Sequence, residues 1–264
     1  MTLKSALYAS FAGLMSLGLS ACGGGEESAA VEQAAPMDNA ARLEAVLAGE
    51  HRSEEERARD EFRHPKETLL FFGMEPDMPV VEVYPGGGWY TRILAPVLAD
   101  NGKLYVSMGT GRVSDGVLKE PGFGKVSVIE AGDNMRRDDT IGFYVVDKVD
   151  FGLTDLDMVL TFRNLHNFNP ESRKKMNDAV YRSLKKGGLY GVVDHTRRHM
   201  QADYSENRRR LDPVLVVKEM LDAGFEFVGY SDLHYRPDDE LIYEVGRHTV
   251  TGNTDRFTML FRKP

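Results

Sequence analysis

Short apolar runs alternate along this chain with segments whose apolar side chains recur every three or four positions. Met78-Pro79-Val80-Val81-Glu82-Val83-Tyr84 is β-branched and enclosed by prolines, so it reads as a strand; Pro85-Gly86-Gly87-Gly88 breaks it, and Trp89 to Ala99 has helical spacing. Further strands are expected at 103–107, 125–129, 157–162, 188–194, 226–230 and 256–262, with helices at 171–185 and 213–223. Strands alternating with helices imply a mainly parallel sheet covered on both faces. Ligands of such sheets sit at the carboxyl ends of the strands, near the point where strand order reverses.

Upstream, 39–63 has helical spacing at Leu43, Val46 and Leu47, an interruption at Gly49, and in Ser53-Glu54-Glu55-Glu56 a cap followed by an acidic first turn. Pro65 opens another short helix, expected over 66–72. Residues 39–73 are therefore expected to form a helical extension or lid, and 74–264 the main domain. With 264 residues, 42% of them hydrophobic, the chain can bury one good core. Residues 22–38 are small, polar and Ala-rich, as suits a flexible tether.

The first 21 residues depart from this composition: Lys4 is their only charge, Ala6 to Leu19 is apolar, and Leu19-Ser20-Ala21-Cys22 follows. The run is too short to span about 30 Å of hydrocarbon, and small residues before a cysteine mark a cleavage site. The segment resembles the lipobox of bacterial lipoproteins. That resemblance implies a signal peptide at 1–21, lipidation of Cys22, a membrane anchor, and a mature domain in the cell envelope facing the periplasm. The plainer alternative is a non-lipidated leader or a buried thiol. Cys22 is the only cysteine, so an intramolecular disulfide, a Cys-rich zinc site and a spare catalytic thiol are all excluded. The net charge of −8 argues against a nucleic-acid backbone as partner, with Arg208-Arg209-Arg210 reading as a solvated helix face.

The glycine turn narrows the ligand. A dinucleotide fingerprint needs a sixth-position glycine, where Thr91 stands, and an acid ending the second strand, where Ser107-Met108 stand; a phosphate-binding P-loop needs Gly-Lys-Ser/Thr, against Gly88-Trp89-Tyr90 here. The acid and glycines of Glu82-Val83-Tyr84-Pro85-Gly86-Gly87-Gly88 instead resemble the first motif of class I S-adenosylmethionine-dependent methyltransferases. More narrowly, Glu82 to Thr91, Leu160 to Asn167, Gly187 to His195 and Asp255 to Pro264 are similar to a group of predicted bacterial methyltransferases, over roughly 59–264. The resemblance implies an α/β, Rossmann-like class I methyltransferase fold with a mainly parallel seven-stranded sheet. It implies S-adenosyl-L-methionine held by Glu82, Tyr84, Pro85, Gly86, Gly87, Gly88, Trp89 and Asn164, and methyl transfer to an unidentified small-molecule or envelope acceptor. Two departures stand out: Tyr84 replaces the motif's first glycine, and no acid ends the second strand.

Methyl transfer from a sulfonium mainly needs alignment of donor and acceptor, with a proton acceptor for some substrates. His166 and His195 are the candidate catalysts; the alternative roles are a loop-orienting His166 and an Asp194-His195 pair in which each orients the other. Trp89, Tyr90 and Tyr84 either face the sulfonium, where cation–π attraction contributes about 0.5–2 kcal/mol, or belong to the core. No metal site is expected, since Arg197-Arg198 separate His195 from His199. A combined Gly86→Val, Gly88→Val change is expected to abolish donor binding and leave the fold largely intact. Location and cofactor pull in opposite directions, because this donor is made in the cytosol. The alternative function is a non-catalytic, membrane-tethered ligand-binding lipoprotein that keeps the fold.

Overall fold

The computed structural model describes residues 38–140 and 142–264, so the leader, Cys22 and nearly all of the expected tether lie outside the described residues. Seven strands form one sheet: β1 Pro79–Val83, β2 Lys103–Ser107, β3 Ser127–Ile129, β4 Leu156–Phe162, β5 Leu184–His195, β6 Glu226–Ser231 and β7 Arg256–Arg262. Their order is β3-β2-β1-β4-β5-β7-β6. The pairs from β3 to β5 are parallel, while β7 runs antiparallel to both β5 and β6. Strand order reverses beside β1, which opens a crevice at its carboxyl end towards β4.

The central strands lack the alternation of a half-exposed sheet because helices cover both faces. Val80, Met158, Leu160 and Leu260 face one side, under α1 Asn39–Leu47, α4 Pro65–Phe71 and α5 Thr91–Leu98. Val81, Val159, Val192 and Phe261 face the other, under α7 Pro170–Ser183 and α8 Pro213–Asp222. Each of these last two helices starts with proline behind a capping side chain: Asn169 Oδ1 accepts from the Ser172 amide (2.9 Å) and Asp212 Oδ1 from the Val214 amide (3.0 Å). Between α1 and α4 lie two four-residue turns, α2 Glu54–Arg57 and α3 Asp60–Arg63, and a short α6 Gly111–Asp115 follows β2.

The seven strands and four longer helices fall where the pattern places them, with informative differences. Residues 39–63 form three pieces instead of one helix. The helix expected to reach 185 ends at Ser183, and β5 begins at Leu184 and runs through Gly187-Gly188. Gly188 is needed there: a Cβ would lie 2.9 Å from the Lys185 carbonyl oxygen and 3.0 Å from that of Leu156. Two small antiparallel ladders, 132–133 with 148–149 and 136–138 with 143–145, occupy a stretch with no apolar pattern. The connection from β6 to β7 has no regular structure and is pinned by a fully buried ion pair, Arg210 to Asp239 at 2.8 and 3.0 Å. Asp239 also accepts from the backbone amides of Leu241 and Asp255, so its charge is fully hydrogen-bonded. Among the described residues no helix is long and apolar enough to cross a membrane.

Candidate functional site

Three neighbouring strands leave the sheet in the same strained way. The residues after β1, β2 and β4 are Tyr84, Met108 and Arg163, with φ of 59°, 61° and 61°. Left-handed backbone costs a side-chain-bearing residue about 1 kcal/mol or more, and such strain collects at functional sites. The Tyr84 amide donates to the Ser107 carbonyl (2.7 Å) and the Arg163 amide to that of Val193 (2.6 Å), which holds both turns. Asn164 ties them together, its Nδ2 donating to the Tyr84 carbonyl (2.9 Å) and the Phe162 carbonyl (3.0 Å).

Beneath the loop sits Glu82, buried on β1, its carboxylate accepting from Thr91 Oγ1 at 2.6 Å. Burial outweighs that hydrogen bond and pushes its pKa up to about 7. Gly86 has φ of 60°, and a Cβ there would have nothing within 4 Å, so its backbone faces open space. Gly88 is different: with φ of 84°, its Cβ would meet Val117 at 2.7 Å and Val113 at 2.9 Å. It is a packing glycine, which corrects the expectation that valine at both positions leaves the fold largely intact.

A cavity of about 340 Å³ opens above this loop. Seven of the eight expected binding residues line it, namely Glu82, Tyr84, Pro85, Gly86, Gly87, Trp89 and Asn164; Gly88 does not. The rest of the wall is Tyr90, Phe162, Arg112, Arg163 and, from the helical extension, Glu56, Arg59 and Arg63. Trp89 donates from Nε1 to the Glu56 carbonyl (3.1 Å), and its face is taken by the Arg63 guanidinium at 4.2 Å. Tyr90 stacks on Phe162, centroids 3.5 Å apart. The cation on the Trp89 ring is thus the protein's own.

The opposite flank, over β2, is closed. Ser107 Oγ donates to the Ile129 carbonyl (2.9 Å), Met108 packs into the core, and the Tyr84 ring lies against Gly109, where a Cβ would be 2.6 Å from the ring. Tyr144 and Phe168 hold that ring at centroid distances of 5.9 and 5.8 Å.

The two candidate histidines part company. His166 is 4% exposed; its Nδ1 meets Asp194 Oδ1 at 2.5 Å and its amide donates to Oδ2 at 3.1 Å. It lines neither this cavity nor the next, so its contacts are those of a residue orienting a loop. His195 lines a second cavity of about 340 Å³, and burial, followed by the neighbouring His166 and arginines, drives its pKa well down, which keeps the imidazole neutral. Arg59, Arg63 and Arg163 line both cavities, and Arg256 and Thr254 line the second. Among the described residues no group of three or more His, Cys, Asp or Glu could hold a metal ion.

Sequence reasoning missed Arg112, Arg163 and Arg256 and saw Arg59 and Arg63 only as parts of a lid. A signal existed for two of them: Arg163 directly follows the largely apolar strand β4, and Arg256 opens a strand whose inner positions are apolar apart from Thr258.

No family model matches the chain, and no curated protein sequence matches it. Solved structures do. The chain is similar to an S-adenosylmethionine-dependent methyltransferase from Aquifex aeolicus, with TM-score 0.55, 16% identity, and coverage of 78% of this chain and 93% of that one. It is similar to the cyclase SpnF (0.53, 15%, 82% and 85%) and to a putative sarcosine dimethylglycine methyltransferase from Galdieria sulphuraria (0.51, 13%, 78% and 84%). At these identities the likeness is one of fold: an α/β, Rossmann-like sheet of the class I methyltransferase type.

Proposed function

We propose that the chain is an S-adenosylmethionine-dependent methyltransferase acting on an unidentified small-molecule or envelope acceptor. The observation that carries this reading is the coincidence of Glu82, the open Gly86 backbone and Asn164 around one cavity at the strand-order reversal. The residues fit the amino-acid end of the donor. The Glu82 carboxylate suits an ammonium, the Gly86 and Gly87 amides at the head of the loop before α5 suit a carboxylate, and Asn164 has its Oδ1 left for a ligand N–H. They do not offer the usual grip on the ribose, since no carboxylate ends β2. When bound, the donor would supply a methyl group on a sulfonium, an already activated carbon with a neutral thioether as leaving group. The protein's part is then alignment and exclusion of water, which the extension residues Glu56, Arg59 and Arg63 serve by walling the cavity. His195, whose Nδ1 meets Thr254 Oγ1 at 3.0 Å, would be the side chain to take an acceptor's proton, though as a weak base because burial drives its pKa well down.

Calorimetric titration of the full chain with S-adenosylmethionine and with S-adenosylhomocysteine tests the reading without knowledge of the acceptor. Micromolar binding, lost in Gly86→Val, is the expected result; no heat with either ligand would reject it. The closed flank over β2 favours a second reading, a non-catalytic ligand-binding module on the same fold, and that negative result would leave it standing. The reading also extends to location: lipidation at Cys22 and an envelope anchor. Palmitate labelling that is equal in wild type and Cys22→Ser would remove the anchor.

A further inference from the structure

The junction of the two cavities gathers four arginines, of which Arg59, Arg163 and Arg256 each feel one acid (Glu56, Asp194 and Asp255) and Arg63 feels none. Arg63 is 4% exposed, lines both cavities, and its guanidinium has the Trp89 ring as its contact and no carboxylate. Burial above all, then the neighbouring Arg163, Arg59 and Arg256, with Tyr90 opposing, bring its pKa down to about 8. Arg256 is 6% exposed; one nitrogen donates to the Phe62 carbonyl (2.8 Å), while its buried Nε has no partner.

The nearby acids are engaged elsewhere. Glu56 pairs with Arg92 (2.8 Å), Asp194 is held by His166, Asp255 accepts from the Arg236 amide (2.8 Å), and Glu244 pairs with Arg209. The backbone is braced to keep Arg63 in place. Its carbonyl accepts from Thr68 Oγ1 (3.2 Å) and from His234 Nε2 (2.9 Å), and a carbonyl can only accept, so His234 is the Nε2–H tautomer with Nδ1 accepting from Thr258 Oγ1 (2.6 Å). An excess of buried charge of one sign costs stability, and at a cavity wall a ligand of the other sign would relieve it.

The donor's amino-acid end is assigned above to the glycine loop, which lines the first cavity and not the second, whereas His195 and Arg256 line the second and not the first. We propose that the second cavity receives the methyl acceptor and that the acceptor carries a phosphate or carboxylate, gripped by Arg63, Arg163 and Arg256 with Arg59 at the mouth. The proposal rests on the methyltransferase reading for the word acceptor, and on the arginine cluster alone for the anion. Fork-shaped guanidinium donors match both oxyanions bidentately, so the two chemistries are shared at this point.

Trp89 is the only tryptophan in the chain and carries Arg63 on its face, so its emission reports on the cluster directly. The full chain is titrated with pyrophosphate and, separately, with citrate, followed by emission and by calorimetry. Saturable binding of at least one is expected, and the tighter one assigns phosphate or carboxylate. Arg63→Gln should weaken it at least tenfold, and Arg59→Gln, at an exposed position that leaves the core untouched, at least threefold. S-adenosylmethionine affinity should change less than about threefold when the anion is saturating, because donor and acceptor must bind together. No saturable response, equal affinity in both variants, or strict competition between anion and donor would overturn the proposal. Anion binding in a chain that binds no S-adenosylmethionine would overturn the acceptor assignment together with the methyltransferase reading.

Discussion

The carboxyl edge of the sheet differs on the two sides of β1. Towards β4 it is open, charged and incompletely partnered, with Glu82 below the loop, Asn164 bridging two turns, and Arg63 and Arg163 facing a cavity. Towards β2 the Tyr84 ring lies over Gly109, braced by Tyr144 and Phe168, and Arg112 of α6 is the one charged side chain that this side adds to the cavity wall. Both flanks depend on one backbone feature, the left-handed residues 84, 108 and 163. The same strained exit from the sheet thus borders a cavity on one side and a packed ring cluster on the other. Under the proposed function, the difference means that a ligand would be gripped by its charged end, with the ring-braced flank setting what else fits.

The glycine loop separates the two flanks, and the sharpest break comes from its two unlike glycines. Gly88→Val forces a branched side chain into Val113 and Val117 from a left-handed backbone, and should cost about 3–4 kcal/mol in denaturant unfolding. Gly86→Val meets only the backbone penalty, about 1–2 kcal/mol, yet should abolish donor binding. Equal stability losses would show that Gly86 is also a packing position and that the open flank is not open.

Glu82 provides the next largest effect. Its carboxyl ionises in the unfolded chain near the ordinary value of 4.5 but in the folded protein only near 7. A raised acid pKa means stability that is complete below 4.5 and lost as pH rises through about 7, roughly 3 kcal/mol from this residue. Glu82→Gln should remove that decline, measured as the difference between the wild-type and variant denaturation midpoints from pH 4.5 to 8. Donor affinity should rise over the same interval in wild type, because the ionised carboxylate is what an ammonium meets. A wild-type slope retained in the variant would place the titrating group elsewhere.

The parts legible in the sequence are those that neighbours along the chain decide. β2 at 103–107 and β7 at 256–262 come out at the expected boundaries because their apolar runs are bracketed by polar or turn residues. The ladders at 132–149 were not legible, since Arg136-Arg137-Asp138 has no buried face to imprint a period of two. The site divides in the same way. The acid and glycines of the loop are contiguous and could be read, except that Gly88 shares the motif while packing against Val117, 29 positions on. Arg63 could not be read as a ligand group, because what buries it and leaves it unpaired comes from Trp89, His234 and Arg256. The spacing of Asn164, Leu165 and His166 puts one polar side chain in the cavity and turns the other onto Asp194, a distinction set by the strand next door.

Closure of the β2 flank is testable at Tyr84. Tyr84→Gly gives up the ring contacts with Tyr144 and Phe168 but relieves the left-handed strain, for a net loss of about 1–2 kcal/mol. Adenosine, which lacks the donor's amino-acid end, should bind the variant at least threefold more tightly than wild type in calorimetry. Unchanged adenosine affinity would mean that the ring is not what closes this side.

The smallest effect tests whether the open flank needs its helical extension. Ser53 Oγ accepts from the Glu56 amide (3.2 Å) and Glu56 Oε2 from the Ser53 amide (2.9 Å), a reciprocal cap that fixes the start of α2. Glu56 then presents its carbonyl to Trp89 and its carboxylate to Arg92, so the cap sits one step from the cavity wall. Ser53→Ala should cost about 1 kcal/mol at most, because the residue is exposed and one hydrogen bond is lost. Its effect on Trp89 emission should be larger than that figure suggests, since loosening α2 frees the indole N–H and the arginine stacked on the ring. A stability loss of the expected size with unaltered emission would show that β1, α5 and β4 alone hold the wall in place. The extension would then be a cover over a site already complete, and the contrast between the flanks would belong to the sheet alone.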